Sequence, residues 1–498
     1  VKVLIRADAA LSIGSGHVLR CLTLAQQLQA YGAQVSFACR ELPGHVQDKV
    51  RAAGFACHSL PAHYPGETTQ RAEAAINWQA DLAALHAVLG EAAHFDWLLV
   101  DHYGLDAQWQ RGARTLAARI AVIDDLANRP HDADLLLDQN LTATPAAYAS
   151  LLPPSCHSLL GPRYALLRPE FSAAPIAIRA QAERVLVNFG GVDAGGETFK
   201  AMAALAGLPV QADIVAGGAN PAWDALQAQA RGQVGWTLHR HVADFASLMR
   251  RADVFVGAGG STSWERAALG LPTLCIAVAD NQEPNARALH AAGVHHYLGR
   301  DHMVNAEQVR AALVDLLNDP PRRQQYAERS RALVDGQGAR RVAAAMLHAC
   351  LQLRPATQDD AQRLFEGRNA DSVRRWSTSP EPISWDAHIA WLTRTLANPD
   401  RQLWIAESAD GPVGVLRYDR LPHLPERAEV SIYLFAGREG MGWGGALLAA
   451  GDAAIARQWP ALRFIDATVL PGNTASLKLF RQAGYAEHGS GFARVLPA

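Results

Sequence analysis

The stretch Val3-Leu4-Ile5 leads through Arg6-Ala7-Asp8 to Gly14-Ser15-Gly16-His17, and an apolar-periodic run (Val18, Leu19, Leu22, Leu24, Leu28) begins at once. This reads as strand, tight turn, helix. Backbone N–H groups at such a turn, together with the positive helix end, face an anionic ligand. His17 stands at the mouth of the turn, and histidine has the unperturbed pKa best suited to proton transfer near neutral pH. A capped helix start with an exposed histidine fits the same four residues.

Outward from this unit, short β-branched runs alternate with alanine-rich helical text through about residue 350. Strands are expected at Val1–Ile5, Gln34–Ala38, Trp97–Val100, Ile120–Ile123 and Leu135–Leu137. After a break rich in proline (Pro153, Pro154, Pro162, Pro169) the alternation restarts, with strands at Arg184–Asn188, Ala212–Val215, Val254–Val256 and Thr273–Val278. Repeated strand–helix units imply parallel sheets covered by helices, and ligands in such folds lie at the C-terminal strand ends. The expectation is an α/β chain with two Rossmann-like domains, 1–170 and 171–350. From Leu353 helical text (Thr357–Arg368, Trp385–Leu396) precedes strands at Gln402–Ser408, Gly411–Tyr418, Glu429–Leu434 and Arg463–Leu470, which describes an α+β domain over 353–498.

Composition agrees with three soluble domains in 498 residues: 49% hydrophobic, 19% charged, net charge −2. That balance argues against nucleic acid or a membrane surface as partner. No apolar run reaches the roughly 18 residues of a membrane helix, and no signal-peptide core opens the chain. Six scattered cysteines, without C-x-x-C pairs or zinc spacing, read as reduced thiols in a cytoplasmic protein that holds no metal. A trimmed initiator Met before Val1 and a monomer or small homo-oligomer are expected.

The second Rossmann-like domain carries Val256-Gly257-Ala258-Gly259-Gly260-Ser261-Thr262-Ser263-Trp264-Glu265, then Gly270-Leu271-Pro272. Gly259 and Gly260 permit close backbone approach to a pyrophosphate, Ser261 and Thr262 add donors, and Glu265 suits vicinal ribose hydroxyls. Helix capping by Ser261 with a solvated Glu265 is the alternative. Neither loop matches G-x-x-x-x-G-K-[ST], and Leu19 replaces the third glycine of G-x-G-x-x-G, so kinase and nicotinamide readings fail.

These motifs together resemble GT-B glycosyltransferases of the MurG type, and more closely the sugar-nucleotide hydrolases of pseudaminic acid biosynthesis. Besides the two loops, the resemblance is carried by Arg20-Cys21, Val100-Asp101-His102-Tyr103, Ile123-Asp124-Asp125, Leu137-Asp138-Gln139-Asn140, Asn188-Phe189-Gly190-Gly191 and Asp280-Asn281-Gln282. It implies a UDP-linked diacetamido-trideoxy-altropyranose in the cleft, water activated by His17, and departure of UDP with inversion and without a metal. It further implies substrate contacts from Gly14, Ser15, Gly16, Asp101, Tyr103, Asn188, Gly190, Gly191, Asp280, Asn281 and Gln282. Asp8, also at the substrate, is expected to orient His17. Strand-end capping is the competing role for Asp8, Asp101, Asp124 and Asp125. The N-terminal domain has no long apolar or Lys/Arg-rich helix of the kind that recruits a membrane acceptor, which favours water.

In the last domain Glu429-Val430-Ser431-Ile432-Tyr433-Leu434 precedes Arg438-Glu439-Gly440-Met441-Gly442-Trp443-Gly444-Gly445 at a helix start, with Asn473 before a short helix, Ala475–Arg481. Successive glycine amides there suit a pyrophosphate. This resembles GNAT N-acetyltransferases, which implies acetyl-coenzyme A held by Arg438, Gly440, Gly442, Gly444, Gly445 and Asn473. Glu439 stands where the family signature opens with Gln or Arg, and Phe480 stands where a tyrosine protonates the thiolate, leaving Tyr433 and Tyr485 as substitutes. Glu429 is the candidate base for the attacking amine, with a surface strand acid as the alternative. Arg368-Asn369, Val373-Arg374-Arg375-Trp376, Pro382-Ile383-Ser384 and His388 resemble the acetyltransferase of the same pathway, with Arg374 and Arg375 either at the UDP phosphates or on a solvated basic face. The expectation is a bifunctional enzyme: acetylation of a UDP-4-amino sugar, then hydrolysis to UDP and free sugar. A glycosyltransferase fused to an unrelated acetyltransferase, or a non-catalytic sugar-nucleotide and acetyl-coenzyme A binding module, are the alternatives.

Overall fold

Parallel strands bury both faces, and the central strands show it residue by residue. Val185 and Val187 enter one core layer while Leu186 enters the opposite one, and Val254 and Val256 oppose Phe255 in the same way. The computed structural model describes residues 1–498 except 12, 64–75, 91, 173–175, 192, 194, 219, 241, 243, 409–410, 441, 489–490 and 497–498. Met441 of the glycine signature is therefore outside the described residues. The chain forms two compact units, Lys2–Ala343 and Ala344–Ala498, with Val1 grouped in the second.

The first unit holds two parallel sheets. One contains β1 (Lys2–Ala7), β2 (Gln34–Arg40), β3 (Ala56–Leu60), β4 (Phe95–Asp101), β5 (Ala117–Ile123), β6 (Leu135–Asp138) and β7 (His157–Leu160), in the order β3-β2-β1-β4-β5-β6-β7. The other contains β8 (Arg184–Asn188), β9 (Gln211–Val215), β10 (Trp236–His239), β11 (Val254–Ala258), β12 (Thr273–Ala277) and β13 (His296–Arg300), in the order β10-β9-β8-β11-β12-β13. Counted within each sheet, both begin 3-2-1-4-5-6, so each has its switch point beside its first strand. β1 and β4 are neighbours, with Ala7 opposite Asp101. β8 and β11 are neighbours, with Asn188 opposite Gly257. The loops that carry the motifs leave from these two positions. Leu141 N donates to Asn285 Oδ1 at 3.0 Å, joining the two halves beside the crevice.

The second unit is a mixed sheet of β14 (Gln352–Pro355), β15 (Arg401–Ser408), β16 (Gly411–Leu421), β17 (Leu424–Leu434), β18 (Phe464–Thr468), β19 (Ala486–His488) and β20 (Gly491–Val495), in the order β14-β15-β16-β17-β18-β20-β19. Its pairs are antiparallel except β17–β18, which pair in parallel only from Arg427↔Phe464 to Glu429↔Asp466. Beyond Glu429 the two strands separate. Leu364 and Leu392, from helices Ala361–Asn369 and Trp385–Ala397, pack on Leu403, Ile405 and Val415 of the sheet. The expected class is the one observed: two Rossmann-like parallel sheets, then an α+β domain. Among the described residues no helix is long and apolar enough to cross a membrane.

Candidate functional site

Helix Gly16–Ala30 starts at the turn after β1, and Ser15 makes no side-chain cap to it. His17 lies in its first turn, with Arg20 one turn on and on the same face. Asp101, the last residue of β4, receives both. His17 Nδ1 lies 2.6 Å from Asp101 Oδ1, Arg20 Nη2 donates to the same oxygen at 2.6 Å, and Arg20 Nε donates to Oδ2 at 2.6 Å. A nitrogen that close to a carboxylate oxygen carries the shared proton, so Nδ1 is the donor and neutral His17 keeps its lone pair on Nε2. Burial works to raise the Asp101 pKa, but Arg20 and His17 hold it well below the usual carboxylate range. His17 retains 12% side-chain exposure above an Asp101 that has none. Tyr103 meets the imidazole edge-on at 4.9 Å, and the Arg20 guanidinium also reaches Asp125 at 3.3 Å.

Facing His17 is the turn between β11 and helix Thr262–Leu269. The two sides enclose a cavity of about 240 Å³ lined by His17, Arg20, Tyr103, Gly259, Ser261 and Asn281, among others. Ser261 makes no side-chain cap, so its hydroxyl is not spent on the helix. Gln282 Oε1 accepts from Gly259 N at 3.2 Å and from Val278 N at 3.1 Å, pinning the glycine turn from the side. Glu265 lies one turn into the helix, 3.7 Å from Arg168, and burial pushes its carboxyl up to about 7.

Several expected contacts are corrected. Asp8 does not orient His17. It is fully buried, accepting from Arg6 Nη1 at 2.6 Å and Arg40 N at 2.7 Å, and that leaves it no reach to a ligand. The orienting carboxylate is Asp101. Asn188 uses its side chain on backbone, donating to Val215 O at 3.0 Å and accepting from Gly190 N at 3.3 Å, so it shapes the Gly190–Gly191 turn. Asp280 turns to Arg300. Arg20, Gln139, Asn140, Trp264 and Asn285 also line the cavity, although sequence reading did not place them there. For Arg20 the signal was its spacing of three from His17 on a helix.

In the second unit a cavity of about 510 Å³ opens where β17 and β18 part. Glu429, at the last paired position, lines it and accepts from Thr468 Oγ1 at 2.7 Å. Tyr433 lines it too, with burial raising its hydroxyl pKa, whereas Tyr485 donates to buried Asp452 at 2.9 Å and does not face the cavity. Of the two tyrosines, geometry leaves Tyr433. Phe480 lines the same cavity. The cations there are Arg368 and Arg417; Arg374 and Arg375 are instead engaged around Asp371. His388 is buried, donating through Nε2 to Ala361 O at 2.9 Å.

Gly440 and Gly442 take φ of +78° and +79°, left-handed values that explain glycine at both. They deliver the chain to the N-terminus of helix Trp443–Gln458, where Gly444 and Gly445 add amides without side chains. Arg438 sits in the preceding turn, its N–H donating to Phe435 O at 3.1 Å. Asn473 Oδ1 caps helix Thr474–Gln482 by accepting from Ser476 N at 3.1 Å, so that oxygen serves the helix rather than a cofactor. Among the described residues no three His, Cys, Asp or Glu gather as a metal site.

Comparison with known proteins follows the same division. Residues 351–486 match the Acetyltransferase (GNAT) domain family, and 214–345 match the Glycosyltransferase family 28 C-terminal domain. The chain is 26% identical over 296 residues to UDP-2,4-diacetamido-2,4,6-trideoxy-beta-L-altropyranose hydrolase of Campylobacter jejuni, covering 59% of this chain and 97% of that protein. It is 29% identical over 190 residues to spore coat polysaccharide biosynthesis protein SpsG of Bacillus subtilis, covering 37% of this chain and only 56% of that protein. A UDP-N-acetylglucosamine--N-acetylmuramyl-(pentapeptide) pyrophosphoryl-undecaprenol N-acetylglucosamine transferase of Acidithiobacillus ferrooxidans is 35% identical over 135 residues, covering 26% of this chain and 37% of that protein.

Proposed function

We propose that the first unit hydrolyses a UDP-linked diacetamido-trideoxy sugar of pseudaminic acid biosynthesis to UDP and free sugar. The observation that carries this is the His17–Asp101 pair at 2.6 Å facing a glycine turn across one cavity. His17 Nε2 takes a proton from water, the water oxygen attacks the anomeric carbon, and the bond from that carbon to the diphosphate oxygen breaks with inversion. Asp101 stabilises the imidazolium that forms. The turn Gly259–Thr262 holds the leaving diphosphate through amides and hydroxyls. Likeness to the Campylobacter jejuni hydrolase over 97% of its length supports this substrate.

The second unit, on this reading, acetylates the 4-amino group of the UDP-sugar precursor using acetyl-coenzyme A. The amine nitrogen attacks the thioester carbonyl, Glu429 receives the amine proton, and the carbon–sulfur bond breaks. Tyr433, which lines the cavity, returns a proton to the thiolate. The glycine amides from Gly440 to Gly445 suit the coenzyme's pyrophosphate. Incubation with UDP-4-amino sugar and acetyl-coenzyme A, with no sugar acceptor, should release free thiol and UDP together. In oxygen-18 water the label should enter the free sugar; label in UDP overturns attack at the anomeric carbon.

A second reading, transfer to a sugar acceptor, draws on the family 28 match and on the Acidithiobacillus ferrooxidans relative. It requires that UDP release stay negligible until an acceptor is added.

A further inference from the structure

The turn Gly259–Thr262 rests on a cation that the steps above do not use. Arg266 is 2% exposed. Its Nη1 donates to Ala258 O at 2.9 Å and its Nη2 to Ser263 Oγ at 2.8 Å, so one guanidinium ties the strand end before the turn to the helical turn after it. Its carbon lies 4.6 Å from the centre of the Phe255 ring.

Among the described residues no carboxylate forms an ion pair with Arg266. Its neighbour Glu265 pairs with Arg168 at 3.7 Å, and burial holds that carboxyl at about 7, so it is only partly charged near neutral pH. The Cys275 thiol is buried too and pushed up to about 11, hence neutral. Arginine stays protonated in proteins. A full positive charge is therefore buried behind the turn without a full counter-charge, an arrangement that is costly unless an anion completes it. Gly259, Gly260 and Ser261 line the cavity on the other side of that turn.

We infer that Arg266 is a positioning residue whose buried charge is completed by the diphosphate of the bound nucleotide, while its two hydrogen bonds hold the turn in shape. The inference rests on reading this turn as the nucleotide site. It assigns to a buried side chain part of the affinity that the amides would otherwise carry alone.

The test is calorimetric titration of the full chain with uridine, UMP and UDP, in the wild type and in Arg266→Gln and Arg266→Lys. Arg266→Gln retains a donor toward Ala258 O and loses the charge. It should weaken UDP by about 10-fold or more while changing uridine by less than about 3-fold, with UMP between them. Arg266→Lys, which keeps the charge but not the fork, should preserve most of the preference for UDP over uridine. Equal losses for all three ligands in Arg266→Gln mean a purely structural role and overturn the inference. So does a lost UDP preference in the folded Lys variant, which decides the matter even if the Gln variant does not fold. A wild-type chain that binds none of the three overturns the site reading itself, and the inference with it.

Discussion

Asp101 Oδ1 receives His17 and Arg20 together, and it stands one strand away from the acid that sequence reading had favoured. Asp8 and Asp101 are both acids at strand ends, and nothing local separates them. The strand order does, because β1 and β4 are adjacent and the His17 and Arg20 side chains reach Asp101 at the end of β4. His17 itself was legible from its turn; its partner required topology. Asp101→Asn offers Nδ1 an amide, removes the carboxylate that stabilises imidazolium, and should lower the rate of UDP release by about 10²–10⁴-fold. His17→Ala should give a loss of similar size while the Asp101–Arg20 pair survives, leaving the melting temperature nearly unchanged. In the second unit, Glu429→Gln should slow thiol release by about 10²–10⁴-fold with acetyl-coenzyme A affinity retained.

At the scale of elements, in the two parallel sheets the sequence pattern recovered the inner strands and missed β3, β7, β10 and β13; in the mixed sheet it missed β14, β19 and β20. The first four are the outer edges of the two parallel sheets. Edge strands are half-solvated and need no continuous β-branched run, as Ala56-Cys57-His58-Ser59-Leu60 and His296-Tyr297-Leu298-Gly299-Arg300 illustrate. The inner strand ends hold a second buried group of acids. Tyr148 Oη lies 2.8 Å from Asp124 Oδ2 and 2.9 Å from Asp138 Oδ2, and one hydroxyl proton cannot serve both carboxylates. Burial pushes Asp138 up to about 7, so the folded chain keeps a proton that the unfolded chain releases near pH 4. Its contribution to stability therefore falls as pH rises between those values, by up to about 1.4 kcal/mol per pH unit. Asp138→Asn should remove that slope. Denaturant melts of both proteins from pH 4.5 to 7.5 should show the variant gaining on the wild type, and parallel curves would contradict the shared-proton account.

At the scale of the whole molecule, the two proposed activities on one chain predict separable defects. His17→Ala should acetylate normally and accumulate the acetylated UDP-sugar, while Glu429→Gln should hydrolyse an acetylated substrate supplied from outside. Mixing the two variants should restore conversion of amino sugar and acetyl-coenzyme A to UDP and free sugar, followed by chromatography of the nucleotides. Failure of the mixture would mean that the intermediate does not leave the chain that made it. The three-sheet division was legible because a proline-rich break interrupts the strand–helix alternation of the first two and the pattern changes near Leu353. The GNAT cavity was less so, since its Arg368, Arg417 and Trp391 are distant in sequence and meet only where the strands part.

The repeated strand order of the first unit has a consequence for how such a protein can change. Each half places its own crevice at the same point of its sheet, one bearing His17 and the other the glycine turn. On the proposed reading, the recipe for the leaving group and the recipe for the incoming nucleophile are written in separate halves. If so, replacing the loops after β1 and β4 should redirect what attacks the sugar, while the proposed nucleotide handle in the other half is inherited unchanged.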